Sequence, residues 1–367
     1  YKYLYFFGVE VSNFIGLPIV KMESIPFFLK ILLPAGMSFY TLQIISFCID
    51  YYEDKINPPP FLNYFLYISF FPQLIAGPII RYSQIENQLK NFKNEILDID
   101  YPKAFKLISF GLCMKVFGAD YANMLTETLK NEISPLNEIS FLDTMCYIFL
   151  FSTRIYFDFS AYSIMAIGIA LLFGIKLPQN FNDPYLSESP KDFWKRWHIT
   201  LSYWLKDYVY IRLGGNKKYV RNILIVFLLS GLWHGAGFNF MIWGLYHAFL
   251  VLLYKLSSNF WNSQPKYLKI MITFLLVSLG WPLFDIGLYN YKLLIDLTVF
   301  KFDSVLNLRH WLYLFFILSI IFFIKPDNFC NREEKSYFSN SPYLHGVLII
   351  FCILFINLSE TFIYFRF

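Results

Sequence analysis

Charged residues are scarce in this sequence of 367 residues. Lys, Arg, Asp and Glu together make up 16% of the chain, whereas soluble proteins carry roughly 25%. That shortage excludes a disordered chain, a coiled coil and an ordinary soluble enzyme, all of which need more polar surface. Cysteine is scarce as well, and the five cysteines are scattered with no CxxC or Cys/His spacing. We therefore expect neither a disulfide framework nor a metal site.

Several familiar motifs are also missing from the chain. No G-x-S-x-G elbow, Walker A loop or Rossmann glycine pattern occurs in it. The net charge is +5, but Lys and Arg are spread among the loops instead of forming the clustered stripe that nucleic-acid binding needs. We therefore expect no nucleic-acid partner, and we interpret the basic residues as anchors beside a lipid bilayer.

Apolar residues are what the sequence has in excess. They make up 57% of the chain, and the mean hydropathy is +0.46. At about 20 residues per span, they predict an all-α, multi-pass transmembrane helical bundle of about nine or ten membrane segments. Some segments are expected to be re-entrant, such as residues 61–80, which Pro72 and Pro78 interrupt. Residues 141–157 and 161–175 are expected to form two separate apolar runs.

Residues 190–213 show a different pattern, because apolar and charged side chains alternate there at helical spacing. One side is apolar and aromatic and carries Trp194, Trp197, His198, Leu201, Trp204, Leu205 and Tyr208. The other side carries Lys195, Arg196, Lys206 and Asp207. The spacing predicts one amphipathic helix that lies in the membrane interface, with its Trp and Tyr side chains at the level of the headgroups.

Among the five histidines, His234 has the sharpest context. It follows an apolar run that ends in Trp233, and the small residues 235–237 follow it. Small residues let a backbone or a substrate approach closely. An imidazole there can take a proton from a hydroxyl near neutral pH. The alternative is a buried histidine that hydrogen-bonds a carbonyl where a helix breaks.

The other histidines are open to less specific interpretations. His198 and Ser202 are four residues apart, so both can line one groove, although His198 can equally extend toward the headgroups. For His247, in mid-span, an interhelical hydrogen bond is favoured over catalysis. His310 and His345 lie near loop ends and are expected to be exposed or interfacial.

Three classes of function fit these residues. Two histidines in an aromatic, amphipathic membrane context suit an enzyme that acylates a hydroxyl. They suit a proton-coupled transporter equally well. A scaffold that only recruits a secreted transferase is a third possibility. Asp158 is a further acid or base, which Arg154, one helical turn earlier, can neutralise.

Five sequence blocks carry a resemblance to a known family. They are residues 157–163 (FDFSAYS), 178–185 (PQNFNDPY), 193–202 (FWKRWHITLS), 204–215 (WLKDYVYIRLGG) and 231–236 (GLWHGA). In this order they resemble the membrane-bound O-acyltransferase superfamily, and most closely its bacterial branch of alginate and peptidoglycan O-acetylation membrane subunits. Residues 38–52, 71–83 and 362–365 are similar to the same branch, so the resemblance covers nearly the whole chain.

The resemblance implies a single domain over residues 1–367 with a central tunnel and without the family's first spans. It implies that His234 is the catalytic histidine and His198 the second histidine of the tunnel. Whether His234 acts as a general base or carries the acyl group stays open. We expect further tunnel or substrate contacts from Trp233, Gly235, Trp194, Trp197, Ser202, Asp158 and Asn180.

The resemblance also implies a reaction. An acetyl group passes from a cytoplasmic donor such as acetyl-CoA, with no bound cofactor, across the inner membrane to a separate periplasmic or secreted O-acetyltransferase. That partner then esterifies a polysaccharide. A composition typical of an AT-rich genome favours peptidoglycan over alginate, while another exopolysaccharide and D-alanyl transfer to teichoic acid are the alternatives. Lys195 and Arg196 are candidates for binding the donor phosphates, or else anchors to lipid.

The sequence departs from the family pattern at charged positions. Ile164 stands where the family usually has an acidic residue, and Arg154 stands where an uncharged Gln is common. Asp285 replaces the Arg that usually follows a late Phe. We therefore expect Arg154, Asp158 and Asp285 to pair among themselves.

Overall fold

The computed structural model describes residues 36–91, 99–133, 139–285, 298–299, 308–327 and 341–356. Within these ranges the regular secondary structure is helical, apart from a two-residue parallel ladder between β1 (Ile139–Ser140) and β2 (Thr298–Val299). The all-α class is therefore confirmed. The expectations for the chain before residue 36 and for residues 362–365 lie outside the described residues.

The helices are numbered here in chain order. The first half of the chain carries α1 (Met37–Tyr52), α2 (Phe61–Ser69), α3 (Phe71–Leu74), α4 (Tyr82–Asn91), α5 (Tyr101–Cys113), α6 (Tyr121–Ile133) and α7 (Phe141–Leu172). The second half carries α8 (Pro190–Arg196), α9 (Ile199–Leu205), α10 (Tyr219–His234), α11 (Phe238–Leu256), α12 (Ser258–Asn262), α13 (Lys266–Gly280), α14 (Pro282–Asp285), α15 (Leu308–Ser319) and α16 (Pro342–Phe355). π-helical turns occur at Met114–Asp120, Lys206–Tyr210 and Ile320–Ile324.

Three helical stretches of the described chain are long and apolar enough to cross a membrane, namely Phe141–Leu172, Phe238–Leu256 and Lys266–Asp285. Arg309–Ile324 and Tyr343–Phe355 are shorter apolar helices. The expected nine or ten membrane segments are therefore not confirmed. The physical reason is length, because the remaining apolar helices fall short of the roughly 20 residues that a span needs.

Helix α7 runs unbroken through Asp158, although the sequence predicted two separate apolar runs there. At 1.5 Å per residue, its 32 residues extend roughly 48 Å. The Oδ1 atom of Asp158 lies 2.8 Å from the Nζ atom of Lys115, which also lies 2.6 Å from Asp120. A paired carboxylate can remain inside a helix bundle, so Asp158 does not interrupt the helix.

Residues 61–80 are broken as expected. Helix α2 ends at Ser69, Phe70 is extended, and the four-residue helix α3 follows. No regular helix covers residues 75–80. This irregular stretch is largely buried in the protein, which is the setting in which broken backbone is tolerated at membrane depth.

Residues 190–213 do not form the single amphipathic helix that was expected. The helix breaks between α8 and α9, where His198 adopts left-handed backbone angles (φ 43°, ψ 55°). The N–H of Ile199 donates instead to the carbonyl oxygen of Asn180, at 2.9 Å. Trp197 and His198 are each 1% exposed. The aromatic face therefore packs in the protein core and not among lipid headgroups.

Helices α10 and α11 form a close pair that carries His234. A Cβ atom on Gly231 would collide with the carbonyl oxygen of Phe240 on the facing helix. Only glycine allows the two backbones to approach so closely at this point. The short connection of residues 235–237 then places the end of α10 against the start of α11.

Candidate functional site

A cavity of about 140 Å³, which we call the inner cavity, is bounded by α8, α9 and α10. Its lining residues are Trp194, Trp197, His198, Leu201, Ser202, Leu205, Val226, Phe227, Ser230 and His234. Most of this lining is apolar. The two candidate histidines therefore reach the same small cavity, together with the hydroxyl groups of Ser202 and Ser230.

His234 is the last residue of α10. The next residue, Gly235, is extended (φ −160°, ψ 151°), and a Cβ atom there would collide with the ring of Phe240. The His234 imidazole is packed edge to face, with centroid separations of 4.8 Å to Trp233, 5.2 Å to Trp243 and 5.2 Å to Phe284. These rings fix the orientation of the imidazole and limit its contact with water.

The orientation of His198 is set by Asn180. The Nδ2 atom of Asn180 donates to Ser163, and its Oδ1 atom accepts from Thr200 and lies 3.1 Å from Nδ1 of His198. This hydrogen-bond network assigns the proton of the imidazole to Nδ1 and a lone pair to Nε2. Nε2 has no hydrogen-bond partner among the residues that the structure describes. Burial lowers the pKa of His198, so the imidazole is neutral and Nε2 is an acceptor.

Trp233 contacts both imidazoles. Its ring centroid lies 5.8 Å from that of His198 and 4.8 Å from that of His234. Its Nε1 atom donates to the carbonyl oxygen of Ser38 at 3.0 Å. Trp233 is not part of the lining of the inner cavity, and neither is Gly235. Both expected contact residues are therefore chain neighbours of His234, and the Trp233 ring packs against its imidazole.

A second cavity of about 520 Å³, which we call the outer cavity, adjoins the inner one. The two share Trp194, Ser202, Val226 and Phe227. The wall of the outer cavity also carries the exposed lysines Lys191, Lys195 and Lys206 and the tyrosines Tyr203, Tyr210 and Tyr219. A basic and aromatic approach thus leads to the two imidazoles. A tunnel through the whole bundle stays a prediction.

Besides Trp233 and Gly235, three further expected site residues line neither cavity. Arg196 lines neither cavity. It directly follows Lys195 on α8, so the two side chains leave the helix in different directions. The Nε atom of Arg196 donates to Asp192 at 3.0 Å. Asn180 lies behind His198 and positions it. Asp158 lines neither cavity and pairs with Lys115. The other expected contacts, Trp194, Trp197 and Ser202, do line the inner cavity.

The charged residues that depart from the family pattern have partners beyond their own set. Asp285 pairs with Lys130 of α6. The Nη1 atom of Arg154 lies 3.9 Å from Glu127, also on α6. We expected Arg154, Asp158 and Asp285 to pair among themselves, and that expectation did not include Lys130 and Glu127. These two residues come close because α6 packs on α7. The sequence alone does not indicate that the two helices pack together.

The remaining histidines are buried. His247 is fully buried, and neither of its ring nitrogens has a hydrogen-bond partner among the described residues, so the expected interhelical hydrogen bond is absent there. His310 and His345, which were expected to be exposed or interfacial, are buried as well. The Nδ1 atom of His345 lies 2.9 Å from the hydroxyl of Ser109. Helix packing covers them, which their positions near loop ends did not indicate.

Among the cavity residues that were not expected as site residues are Ser230, Lys191 and Lys206. Ser230 lies four residues before His234, and this spacing on one helix face could have identified it. Lys191 and Lys206 join Lys195 in the outer cavity. No local signal identified them, because their convergence depends on the break at His198.

Comparison with known proteins identifies a family for the middle of the chain. Residues 24–281 match the family model described as "MBOAT, membrane-bound O-acyltransferase family". This range includes the five blocks that carried the resemblance. It also contains every residue that lines the two cavities.

Curated relatives give the same family. A protein of Helicobacter pylori named "Peptidoglycan O-acetyltransferase" is 39% identical over 290 residues, covering 70% of this chain and 54% of that protein. A protein of Pseudomonas aeruginosa named "Probable alginate O-acetylase AlgI" is 39% identical over 287 residues, covering 76% and 53%. A "Teichoic acid D-alanyltransferase" of Bacillus subtilis is 32% identical over 273 residues, covering 68% of each chain. The chain thus spans about half the length of the first two relatives.

Proposed function

Because this chain belongs to the membrane-bound O-acyltransferase family, we propose that it transfers an acetyl group from acetyl-CoA for O-acetylation of an extracytoplasmic polysaccharide. The acceptor that we propose is peptidoglycan. A relative at 39% identity bears the name of that reaction. The proposed location is the inner membrane, crossed several times, and the proposed partner is a separate periplasmic or secreted O-acetyltransferase that completes the esterification.

One observation carries the proposal, namely that His198 and His234 reach the same small, largely apolar cavity. In the proposed step, His234 takes the proton from the hydroxyl group that first accepts the acetyl group, before the partner transferase passes that group to peptidoglycan. The oxygen of this hydroxyl attacks the thioester carbonyl carbon. The carbon–sulfur bond of the donor breaks, and the CoA thiolate leaves and takes up that proton. A positioned general base of this kind contributes about 10²–10⁴-fold to a rate.

His198 has a different proposed task in this step. Its Nδ1 atom is occupied by Asn180, so Nε2 is the ring nitrogen that we propose to act toward the inner cavity that His198 lines. As a neutral acceptor, Nε2 can take a hydrogen bond from a second donor group on the acceptor molecule and so orient it. Orientation in a site that excludes water is a recognised source of rate acceleration.

The outer cavity is the proposed binding site of the CoA moiety. Its three exposed lysines suit the phosphate groups, and its three tyrosines offer ring surfaces for the adenine. The shared boundary with the inner cavity then gives the thioester a route to the two imidazoles. Lys191 and Lys206 thus bind the phosphates together with Lys195, whereas Arg196 lies outside the cavity and does not.

Replacing Lys191, Lys195 and Lys206 together by Gln is expected to weaken donor binding without changing the chemical step. Exposed ion pairs are worth about 0.2–1 kcal/mol each, so losing three raises the KM for acetyl-CoA about tenfold. The kcat should stay unchanged. Initial rates at varied acetyl-CoA concentration in membrane vesicles measure both constants. The Arg196→Gln variant is the control, because it removes a neighbouring cation outside the cavity; an equal rise in KM there would contradict the assignment.

The function itself is tested by deleting the gene that encodes this chain and then restoring that gene. Base-labile acetate is measured in isolated peptidoglycan and in extracted exopolysaccharide, and D-alanine esters are measured in parallel. Loss of acetate from peptidoglycan alone, with recovery on complementation, supports both reaction and acceptor. Loss from the exopolysaccharide alone rules out peptidoglycan as the acceptor. Loss of D-alanine esters alone rules out acetyl transfer, and no loss of any ester overturns the proposed function.

A further inference from the structure

The inner cavity is small compared with the chains that acyltransferases can carry. A cavity of roughly 150 Å³ holds a benzene-sized molecule, which has six heavy atoms. The inner cavity measures about 140 Å³. The reacting centre of an acetyl thioester needs five heavy atoms there, namely the two carbons and the oxygen of the acetyl group, the sulfur and the attacking oxygen. A butyryl group would add two more.

The two cavities differ in the residues that line them, and this difference indicates the direction from which the donor enters the inner cavity. Trp194, Ser202, Val226 and Phe227 line both, so the donor enters past them. The residues that line the inner cavity alone are the two imidazoles, Ser230, Trp197, Leu201 and Leu205. The first three are polar and suit the reacting atoms, so the apolar end of the acyl group is left with Trp197 and the two leucines.

Leu201 and Leu205 lie one turn apart on α9, so their side chains extend from the same face of the helix. They are 3% and 8% exposed, and both belong to the main hydrophobic core together with Trp197. Making room for one extra methylene group in a close-packed interior costs free energy. The wall that these two side chains form is therefore a rigid limit to the acyl group.

We propose that Leu201 and Leu205 determine the acyl-chain length, restricting transfer to the two-carbon group. This inference rests on the proposed acyl transfer, and it assigns to the two leucines a role in choosing the donor. One additional methylene group in a hydrophobic pocket changes selectivity about 10–200-fold. The wild-type chain is therefore expected to prefer acetyl-CoA over butyryl-CoA at least tenfold in kcat/KM.

The test compares acetyl-CoA, propionyl-CoA and butyryl-CoA as donors for the full chain in membrane vesicles that also contain the acceptor glycan and its native partners. The acids released from the glycan by base are separated and quantified. The Leu205→Ala variant is expected to reduce the preference for acetyl over butyryl at least tenfold. The Leu201→Ala variant should act in the same direction.

The control for lost packing is Leu171→Ala. Leu171 is 8% exposed, as is Leu205, and it belongs to the same core but lines neither cavity. Its variant should keep the wild-type preference. If Leu205→Ala does not accumulate in membranes, Leu205→Val is tested with propionyl-CoA instead. The preference for acetyl should again fall, but by a smaller factor.

The inference is overturned if the preference for acetyl is the same in wild type and in both leucine variants, or if Leu171→Ala relaxes it equally. A wild-type chain that uses butyryl-CoA as well as acetyl-CoA also overturns it. Failure of the proposed function looks different, because no ester of any length would then depend on the chain.

Discussion

The His234→Ala variant is expected to lose acyl transfer almost completely. The variant keeps the cavity and its apolar lining but removes the base that accepts the hydroxyl proton. Removal of a positioned general base costs about 10²–10⁴-fold in rate. The His234→Gln variant should be equally inactive, because an amide hydrogen-bonds but cannot take up a proton near neutral pH. The measurement is base-labile acetate in the glycan at matched protein level in the membrane.

Loss of a buried imidazole can also act through packing, so this prediction needs a matched control. His345 is 6% exposed, close to the 5% of His234, and its Nδ1 atom contacts Ser109 at the α5–α16 seam. The His345→Ala variant should retain most of the ester. Equal losses in the two variants, or more than half of the ester remaining in His234→Ala, would mean that His234 is not the base.

The environment of His234 was largely predictable from sequence, because the signals are local. An apolar run ending in Trp233 indicated the helix, and the small residues after it indicated the break. The structure places the helix end at His234 and the extended Gly235 after it, as this pattern suggests. The rings that surround the imidazole come from other helices, among them Trp243 and Phe284, and no spacing within the chain could indicate them.

The environment of His198 could not be predicted in the same way. Helical periodicity through residues 190–213 is strong, and it predicted one helix. Asn180, 18 residues earlier, accepts hydrogen bonds from Nδ1 of His198 and from the N–H of Ile199. These bonds compete with the helix at this position and stabilise the left-handed conformation of His198. A non-glycine residue in that conformation costs about 1–3 kcal/mol and persists only when its surroundings fix it. Tertiary contacts thus override a local pattern.

The charge partners differ from those expected, and the span count is not confirmed, for a related reason. Lys115 lies 43 positions before Asp158, and its proximity depends on how α5 and α6 pack against α7. With its charge paired, Asp158 no longer ends a helix, so two expected segments become the single helix α7. Counting apolar runs therefore gives a different number from counting helices long enough to span.

The Asn180→Leu variant is expected to lower kcat about a hundredfold with little change in the KM for acetyl-CoA. Leucine has nearly the same shape, but it offers no acceptor to Nδ1 of His198 or to Thr200. The imidazole can then change tautomer and turn, so Nε2 no longer presents its lone pair to the inner cavity. A misplacement of about 1 Å at a reacting centre can cost 10²-fold. Steady-state rates in membrane vesicles separate kcat from KM.

A purely structural role of Asn180 would give a different pattern in a double-mutant cycle with His198. If Asn180 acts by positioning His198, then Asn180→Leu should have little further effect on kcat once His198 is already Ala, because coupled residues are not additive. The Ser163→Ala variant removes the partner of Asn180 Nδ2 and leaves Oδ1 facing His198, so kcat should change no more than a few fold. Full additivity of the Asn180 and His198 variants would contradict the positioning role.

The lone pair of His198 depends on an amide from the loop that breaks the helix, and the same break brings Lys191, Lys195 and Lys206 together around the outer cavity.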